Sequence, residues 1–377
     1  MIVAIDANEA NIKNRVGSNV YAYQVLKHLY RTHKVEFRNN NRNLEFKVYL
    51  KNKPLFDFPK ETLGWQYKVL KPGFLWTQWR LPFKLLLSKP RPDVFFTLGH
   101  YAPRFCPVPL VISIMDLAFL SHPNYFRKKD LFQLKSWTKK SINKALKIIA
   151  ISQSTRNDII NLYQVPSEKI IVTYPGIEKN SFKNSRLTMT IKNLKNRYKI
   201  NKKYFLYIGT LQPRKNIVRL MEAFKNVDDF QLVICGKKGW LYEEIFQKVR
   251  ELKLESRVIF TGFVSEAEKY ALLKNAFAFV FPSLYEGFGF PVLEAMQVGC
   301  PVLVSKTSSL PEVAGEACVY IKNPRSVRSI HQAIEKMIKL SEKERKNLVS
   351  KGFSQVKKFS WQKTAREVLQ VLTEVGG

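Results

Sequence analysis

Short apolar runs alternate along the first half of the chain with segments of helical periodicity. The run Ile2–Asp6 is followed by a polar loop and then by helical spacing over Val20–Tyr30. Such alternation is typical of parallel strands buried on both faces and connected by helices. Further strands are predicted at Leu44–Leu50, Asp93–His100, Leu110–Leu117 and around Ile148–Ser152, the last preceding a helix capped near Ser152 or Ser154. Ligands bind such sheets at the carboxyl edge, where we expect His100, Asp116 and Ser152.

The second half of the chain repeats this order of elements. A strand is predicted at Tyr204–Gly209 and a helix at Ile217–Phe224. Further strands are predicted at residues 230–236, 257–264, 277–283 and 300–305, with a helix at residues 269–276. Between the halves, Pro175-Gly176 and the polar, basic stretch after it predict a turn, a linker and a short helix. The sequence therefore predicts an α/β protein of two Rossmann-like, doubly wound parallel-sheet domains that face a cleft.

The domain boundary is expected near residue 180, which gives domains at residues 1–180 and 181–360. Helical periodicity also covers Val327 to about Lys351 and Trp361–Val371, and the aromatic, Ser-capped break Phe359-Ser360-Trp361 precedes the second of these stretches. The segment 361–377 is expected to cross back and pack on the first domain.

Composition and charge limit the classes of function. The chain has 377 residues with 45% hydrophobic and 13% aromatic content, enough for two large cores. The formal charge of +33 favours nucleic acid or an anionic membrane as a partner. Yet residues 1–179 hold 29 Lys and Arg against 12 Asp and Glu, and residues 180–377 hold 34 against 18. This even distribution favours a basic background with some anion-facing surface over a dedicated nucleic-acid groove, and no RRM, zinc-finger or basic-zipper signature is found.

Cysteine usage and the absence of a targeting pattern favour a cytoplasmic protein. The four cysteines are scattered, without a CxxC pair or a His partner at metal spacing, which is typical of buried thiols in a reducing compartment. The sequence has no run of eighteen apolar residues, and its opening lacks the basic start of a signal peptide. We therefore expect a cytoplasmic protein, with peripheral attachment to the inner face of the membrane as an open alternative.

The stretch Phe281–Met296 combines two acids with a glycine-rich turn. Gly287 and Gly289 permit close approach of the backbone to a ligand, and the following proline suits the first turn of a helix. A helix start with free N–H groups attracts phosphate. Glu286 precedes this helix start and Glu294 lies about one turn beyond it, so the two carboxylates suit hydroxyls on either side of a bound phosphate. A capped helix with two solvated acids is the plainer alternative.

A second loop, residues 209–216, follows the predicted strand Tyr204–Gly209. Its adjacent Arg214 and Lys215 combine a planar guanidinium fork with a point charge, two ways to bind phosphate. Both cations would stabilise charge on a departing diphosphate, as a divalent metal would. The alternative is a solvated basic corner. No metal is expected, because no Asp-x-Asp pair follows a predicted strand, and no cofactor is implied.

Two stretches are both basic and apolar, Trp76–Lys89 and Phe126–Lys147. The second has Leu131, Leu134, Trp137 and Leu146 near helical spacing among many lysines. An ordinary core helix with a solvated basic back is slightly favoured. The alternative is a helix that lies on an anionic membrane.

These motifs together resemble the retaining glycosyltransferases of family 4, which have the GT-B fold. The matching segments follow one another in order over nearly the whole chain. They are VGSNVYAYQVL, LWTQWRLP, VISIMDLAFLSHP, IAISQST, YPGI, GTLQPRKN, IFTGFV, EGFGFPVLEAM and SSLPEVAG. The resemblance implies metal-independent transfer of a hexose, with mannose favoured, from a GDP- or UDP-linked donor. The implied acceptor is a glycan or a lipid-linked glycan of cell-surface polysaccharide synthesis.

The resemblance also implies roles for individual residues. Glu286 would hold hydroxyls of the donor sugar and Glu294 those of the ribose, while Arg214 and Lys215 would hold the diphosphate. Backbone of the remaining donor-side residues would surround the phosphates and the base; these are Gly17, Gly209, Thr210, Gly262, Phe263, Val264, Gly287, Phe288, Gly289 and Phe290. Asp116 is a further catalytic candidate, and His100, Met115 and Ser152 are expected on the acceptor side.

One position departs from the family pattern. Many relatives carry His immediately before the aspartate at the end of the VISIMDL strand, where this chain has Met115 before Asp116. A methionine cannot donate a hydrogen bond or relay a proton. The donor phosphate can assist deprotonation of the acceptor, and His100 is a candidate to substitute in part.

Two other classes of function compete with transfer. A nucleotide-sugar epimerase or hydrolase can share this fold, because fold does not fix function. A non-catalytic protein that binds nucleic acid, or a catalytically inactive partner subunit, would account for the charge and for Met115. Salt-sensitive binding of DNA or RNA would favour that alternative.

Overall fold

A computed structural model describes residues 1–38, 44–178 and 191–377 of the chain. The described part divides into two units, one of residues 1–121, 127–176 and 359–377 and the other of residues 122–126 and 177–358. The expected boundary at residue 180, and the part of the predicted linker that runs from residue 179 to residue 190, lie outside the described residues. The C-terminal segment belongs to the first unit.

The described strands of the first unit form one parallel sheet in the order β3-β2-β1-β4-β5-β6-β7. Its strands are β1 Ile2–Asp6, β2 Glu45–Leu50, β3 Trp65–Val69, β4 Val94–Thr97, β5 Leu110–Ile114, β6 Lys147–Ala150 and β7 Ile170–Val172. The central strands β4 and β5 are wholly buried, as their apolar runs predict. The chain reverses the direction in which strands are added between β1 and β4, which creates a crevice at the carboxyl edge.

Helices cover this sheet. They are α1 Ser18–Arg38, α2 Leu81–Leu87, α3 Ala118–Ser121, α4 Lys128–Lys144 and α5 Gln153–Tyr163. Helix α5 begins after Ser152, whose hydroxyl accepts a hydrogen bond from the backbone N–H of Thr155. A π-helical turn at Trp76–Arg80 leads directly into α2.

The second unit contains six described parallel strands in the order β10-β9-β8-β11-β12-β13. They are β8 Lys203–Ile208, β9 Phe230–Cys235, β10 Val258–Gly262, β11 Ala278–Phe281, β12 Val302–Ser305 and β13 Val319–Ile321. The order reverses between β8 and β11. The carboxyl ends of these two strands therefore mark the position where such sheets bind ligands.

Helices of the second unit connect these strands. They are α6 Ile191–Tyr198, α7 Ile217–Phe224, α8 Glu243–Glu251, α9 Glu266–Asn275, α10 Phe290–Gln297, α11 Leu310–Ala314, α12 Val327–Lys339 and α13 Glu342–Val356. The helical stretch predicted from Val327 is divided in two at Leu340, because Ser341 and Glu344 form a capping box that starts α13.

The last helix, α14 Trp361–Gly376, packs on α1 in the first unit. The Trp361 ring lies 6.1 Å from that of Tyr21, and the Thr364 hydroxyl donates a 2.6 Å hydrogen bond to the carbonyl of Tyr174. Gly176 passes so close that a Cβ there would lie 2.0 Å from the backbone nitrogen of Trp361. In the described part of the chain, no helix has the length and apolar character needed to cross a membrane.

Candidate active site

Two loops of the second unit meet at the point where its strand order reverses. One follows β8 and contains a 3₁₀ turn at Pro213–Lys215, and the other follows β11. The side-chain amide of Asn216 donates to the carbonyl of Pro282 at 3.0 Å, and the backbone N–H of Leu284 donates to the carbonyl of Arg214 at 2.9 Å. These bonds fix the two loops side by side.

Glu286 lies between two cations supplied by the first loop. Its Oε1 accepts from Nζ of Lys215 at 2.5 Å, and its Oε2 accepts from Nη1 of Arg214 at 3.1 Å. Only 9% of the Glu286 side chain is exposed, with 11% for Lys215 and 14% for Arg214. Burial pushes the pKa of Glu286 upward, but Lys215 and Arg214 outweigh it and hold that pKa below its usual range. Glu286 is therefore an ionised carboxylate with an ordered orientation.

The turn after Glu286 is supported by two serines that the sequence interpretation missed. The backbone N–H of Glu286 donates to the Ser308 hydroxyl at 2.8 Å. The Ser309 hydroxyl donates to the carbonyls of Glu286 and Phe288 at 2.9 and 2.8 Å. Both serines belong to SSLPEVAG, one of the segments that resemble the family, and this was the signal in the sequence that could have identified them.

Gly289 makes the junction between this turn and α10. Its φ of +117° is a conformation that only glycine adopts readily, and a Cβ there would lie 2.9 Å from Leu310. Helix α10 begins at Phe290 with a proline in its first turn, as the sequence predicts. Phe288 is buried, and so are Gly287 and Gly289 on either side of it.

Glu294 lies one turn into α10 and keeps 25% of its side chain exposed. Its Oε1 accepts from Nζ of Lys269, a residue of α9, at 2.8 Å. Burial raises the pKa of Glu294, and the Lys269 charge opposes this rise without cancelling it. The sequence interpretation did not include Lys269.

The remaining donor-side candidates lie at the ends of β8 and β10. The N–H of Gly209 donates to the carbonyl of Cys235 at 2.9 Å, and the N–H of Gly236 donates to the carbonyl of Gly262 at 2.9 Å. A Cβ at Gly236 would lie 1.9 Å from the Gly209 carbonyl oxygen, so this glycine, which sequence reasoning missed, lets the loops approach. Thr210 follows Gly209 and is half-buried, while beyond Gly262 the side chain of Phe263 is exposed and that of Val264 is buried.

The segment His122–Phe126 also belongs to the second unit, which the sequence did not indicate. The His122 ring lies 5.7 Å from that of Tyr285, and its Nε2 is 3.2 Å from Nη2 of Arg325. Burial lowers the pKa of His122, and the charges of Arg325 and Arg214 lower it further. A neutral imidazole therefore lies beside the loop that carries Glu286.

The acceptor-side candidates lie in the first unit at the ends of β4, β5 and β6. Burial lowers the pKa of His100, and the charge of Asp116 opposes this effect, so these two side chains interact. Met115 is buried, and its carbonyl accepts a 3.3 Å hydrogen bond from the Thr155 hydroxyl. The Ser152 hydroxyl is engaged in the cap of α5, which gives this residue a structural contact.

Two acids that sequence reasoning missed lie at the carboxyl end of β1, the strand next to β4. Burial raises the pKa of Asp6 to about 6 and also raises that of Glu9. The side-chain amide of Asn19, in the first turn of α1, donates to the Glu9 carboxylate at 2.7 Å. Gly17, just before α1, has φ +51° and open space around its Cβ position, so backbone is accessible there. The signal in the sequence was their position, since Asp6 ends the apolar run of β1 and Glu9 follows three residues later.

Two family models match the chain. The model described as Glycosyltransferase Family 4 matches residues 16–180, and the one described as Glycosyl transferases group 1 matches residues 190–355. O-antigen chain mannosyltransferase B of Escherichia coli is 29% identical over 265 residues, which are 69% of this chain and 68% of that protein. Serotype-specific mannosyltransferase WbdA of Escherichia coli is 30% identical over 239 residues, which are 60% of this chain and 29% of that protein.

Solved structures share the fold over almost the whole chain. Sucrose-phosphate synthase from Thermosynechococcus elongatus has a TM-score of 0.76 at 17% identity and covers 99% of this chain and 98% of that one. HepE from Anabaena, in complex with UDP and glucose, has a TM-score of 0.72 at 18% identity and covers 99% of both chains.

Proposed function

The chain belongs to the family 4 glycosyltransferases of GT-B fold, and from this premise we propose that it transfers mannose from a nucleotide-sugar with retention at the anomeric carbon. The proposed acceptor is a hydroxyl of a glycan or of a lipid-linked glycan in polysaccharide synthesis. The names of the relatives from Escherichia coli support mannose as the sugar. The experiment below decides whether the nucleotide of the donor is GDP or UDP.

The observation that carries this proposal is the buried arrangement of Glu286, Arg214 and Lys215 at the point where the strand order reverses. An ionised carboxylate held by two cations accepts hydrogen bonds from sugar hydroxyls at a fixed position. Both cations contact that carboxylate, and beside it they would stabilise a diphosphate through charge-assisted hydrogen bonds. A sugar linked to a diphosphate has both chemical groups side by side, which is the arrangement that these side chains complement.

In the proposed reaction, the bond between the anomeric carbon and the diphosphate oxygen breaks, and the acceptor oxygen attacks from the same face. Arg214 and Lys215 stabilise the negative charge that develops on the departing diphosphate. The proton of the acceptor hydroxyl passes to an oxygen of that diphosphate. Since the two cations supply the charge that a metal would otherwise supply, we propose transfer without a metal and without a resident cofactor.

The test is transfer from a panel of GDP- and UDP-linked hexoses to a lipid-linked glycan acceptor, with and without a chelator. We expect mannose linked to GDP or to UDP to be consumed only when acceptor is present, with an unchanged rate in the chelator, whereas consumption of a different hexose would exclude mannose as the transferred sugar. The product should retain the anomeric configuration of the donor by NMR. Conversion of the donor without acceptor would instead indicate an epimerase or a hydrolase, and an inverted product would exclude the proposed chemistry.

We also propose an anionic membrane surface as a partner, with the protein on the cytoplasmic side. A ridge of exposed apolar residues carries this proposal: Trp79 and Phe83, whose rings stack at 6.1 Å, are 57% and 51% exposed, and Leu87 is 72% exposed. Residues 62–92 contain no acid, and the same stretch has several exposed cations, namely Lys71, Arg80, Lys84, Lys89 and Arg91. Aromatic and basic side chains together suit the interface of an anionic bilayer.

Helix α4, the other sequence candidate for membrane contact, buries Thr138, Ser141 and Ile142 against the first unit. Its Phe132 is 76% exposed among exposed lysines. The ridge is the stronger candidate because three large apolar side chains are exposed one turn apart. A second copy of this chain is a poorer occupant of the ridge, because it would bring a second basic surface against the first.

A further inference from the structure

Lys269 connects two carboxylates beside α10. Its Nζ lies 2.8 Å from Oε1 of Glu294 and 2.9 Å from Oε2 of Glu266. The Lys269 side chain is 12% exposed, whereas Glu266 is 67% exposed and Glu294 25% exposed. The ammonium is therefore buried against Glu294, and Glu266 approaches it from the solvent side.

The start of α9 fixes the position of this lysine. Ser265 and Glu268 form a capping box that begins the helix, and Glu268 also accepts a 2.8 Å hydrogen bond from Arg197. Leu272 and Leu273, on the next turn, are buried. With the helix anchored at its start and along its inner face, Lys269 is held toward Glu294 instead of turning freely into solvent.

We propose that Lys269 is a positioning residue of the donor site, which keeps Glu294 oriented and ionised so that its carboxylate accepts hydrogen bonds from both ribose hydroxyls. This inference rests on the proposed function and on the role that the family resemblance implies for Glu294, which is to hold the hydroxyls of the donor ribose. An ionised carboxylate only accepts hydrogen bonds, whereas a protonated one uses one oxygen as a donor. A vicinal diol that donates two hydrogens is therefore bound better by the ionised form.

The surroundings of Glu294 disfavour its ionised form, and Lys269 opposes their effect. Burial alone raises the pKa of Glu294, and the charge of Glu266 raises it too; the Lys269 charge works against both. The two charged groups acting on Glu294, Lys269 and Glu266, are both on α9. The two acids in turn keep the pKa of Lys269 above its usual value against the effect of burial, so the lysine stays charged.

An ordinary surface ion pair is the alternative role for Lys269, and such pairs contribute little. The 12% exposure of Lys269 and its contact with a candidate ligand group argue against it. The two roles differ in one readout. Removal of a surface ion pair should not change how strongly the protein prefers a ribose over a sugar that lacks the 2′ and 3′ hydroxyls. Removal of a residue that positions Glu294 should weaken this preference.

The experiment measures Kd for GDP and 2′,3′-dideoxy-GDP, and for the corresponding UDP pair, by calorimetry on the full chain. We expect the wild type to prefer the ribonucleotide about tenfold or more. In Lys269→Met the pH below which this preference is lost should be higher than in the wild type, because the pKa of Glu294 rises further without the lysine charge, and the preference should return above that pH. Lys269→Arg should keep the wild-type preference.

Matched variants separate the possible outcomes. Lys274→Met removes an exposed lysine from the same helix and should leave the preference unchanged. Lys269→Gln, which can still hydrogen-bond, replaces Lys269→Met if the latter melts at a much lower temperature. A Lys269→Met protein with the wild-type preference at every pH overturns the inference alone. A wild type that binds neither nucleotide pair overturns the proposed function and the inference together.

Discussion

Nζ of Lys215 lies 2.5 Å from Oε1 of Glu286, a residue that follows it by 71 positions in the chain. The contact exists because β8 and β11 are neighbours at the point where the strand order reverses. It places a positive charge against a buried carboxylate. The protonation of Glu286, and with it the proposed contact to sugar hydroxyls, therefore depends on Lys215.

The first prediction concerns the pH dependence of transfer in Lys215→Met. In the proposed function transfer requires ionised Glu286, so we expect activity to be lost as the pH falls through the pKa of that carboxyl. In the wild type this pKa lies below its usual range, and without Lys215 burial raises it. The acid limb of kcat/KM should therefore move to higher pH in the variant. Lys225→Met, which changes an exposed lysine of the same unit, should keep the wild-type limb, and an unmoved limb in Lys215→Met would contradict the electrostatic account.

The second prediction concerns the acceptor side. Burial keeps His100 neutral near pH 7, and the charge of Asp116 is close enough to oppose this lowering of the His100 pKa. If His100 takes over part of the role that histidine has in relatives at the Met115 position, His100→Phe should lower kcat by about 10²-fold, a typical loss for an acid–base group. Met115→His in the His100→Phe background should restore part of this loss. Full activity of His100→Phe would exclude the role.

The third prediction tests the packing of the C-terminal helix. Gly176→Ala would place a Cβ 2.0 Å from the backbone nitrogen of Trp361, so backbone has to move. We expect a loss of about 2–4 kcal/mol in the free energy of unfolding, measured by denaturant titration. Gly73→Ala, in the same unit, has open space around the added methyl and should change stability by less than about 1 kcal/mol. Equal stability of the two variants would show that the close approach is not a constraint.

The fourth prediction tests the apolar ridge. Trp79→Ser with Phe83→Ser should abolish cosedimentation with vesicles of equal parts phosphatidylglycerol and phosphatidylcholine, because both exposed rings are lost. Binding of the wild type should weaken with salt and be absent on pure phosphatidylcholine. Phe132→Ser on α4 serves as the comparison. If Phe132→Ser loses binding while the ridge variant keeps it, the membrane contact lies on α4. A wild-type protein that binds neither kind of vesicle would contradict the proposal.

The sequence predicted most of the fold because the buried strands are apolar runs. Strands β4 and β5 could be located in this way, but β3 and β7 were missed. The sequence of β3, WQYKV, is not an apolar run, and the apolar run of β7, IIV, has only three residues. The turn at Gly289 was predictable, since its glycine and proline are local requirements of a helix start. Long-range contacts were not: nothing near Glu286 in the sequence indicates that Arg214 and Lys215 pair with it.

The same limit applies to Lys269 and His122. Lys269 lies in a helix whose periodicity was recognised, but which of its faces meets Glu294 depends on how α9 packs beside α10. His122 follows α3 in the chain, yet it belongs to the second unit and contacts Tyr285 there. Charge and periodicity predict the secondary structure of one segment. The contacts of Lys269 and His122 also depend on where a second segment lies in the folded protein.

The most direct test of the account is transfer by Glu286→Gln, which keeps the size of the side chain and removes its charge. We predict that kcat/KM falls by at least about 10²-fold, while the Kd for the nucleoside diphosphate does not weaken, since Arg214 and Lys215 lose their internal counter-charge. Glu342→Gln, an exposed position on α13, should match the wild type in both measurements. A folded Glu286→Gln protein with wild-type kcat/KM would contradict the assignment of Glu286 to the donor sugar.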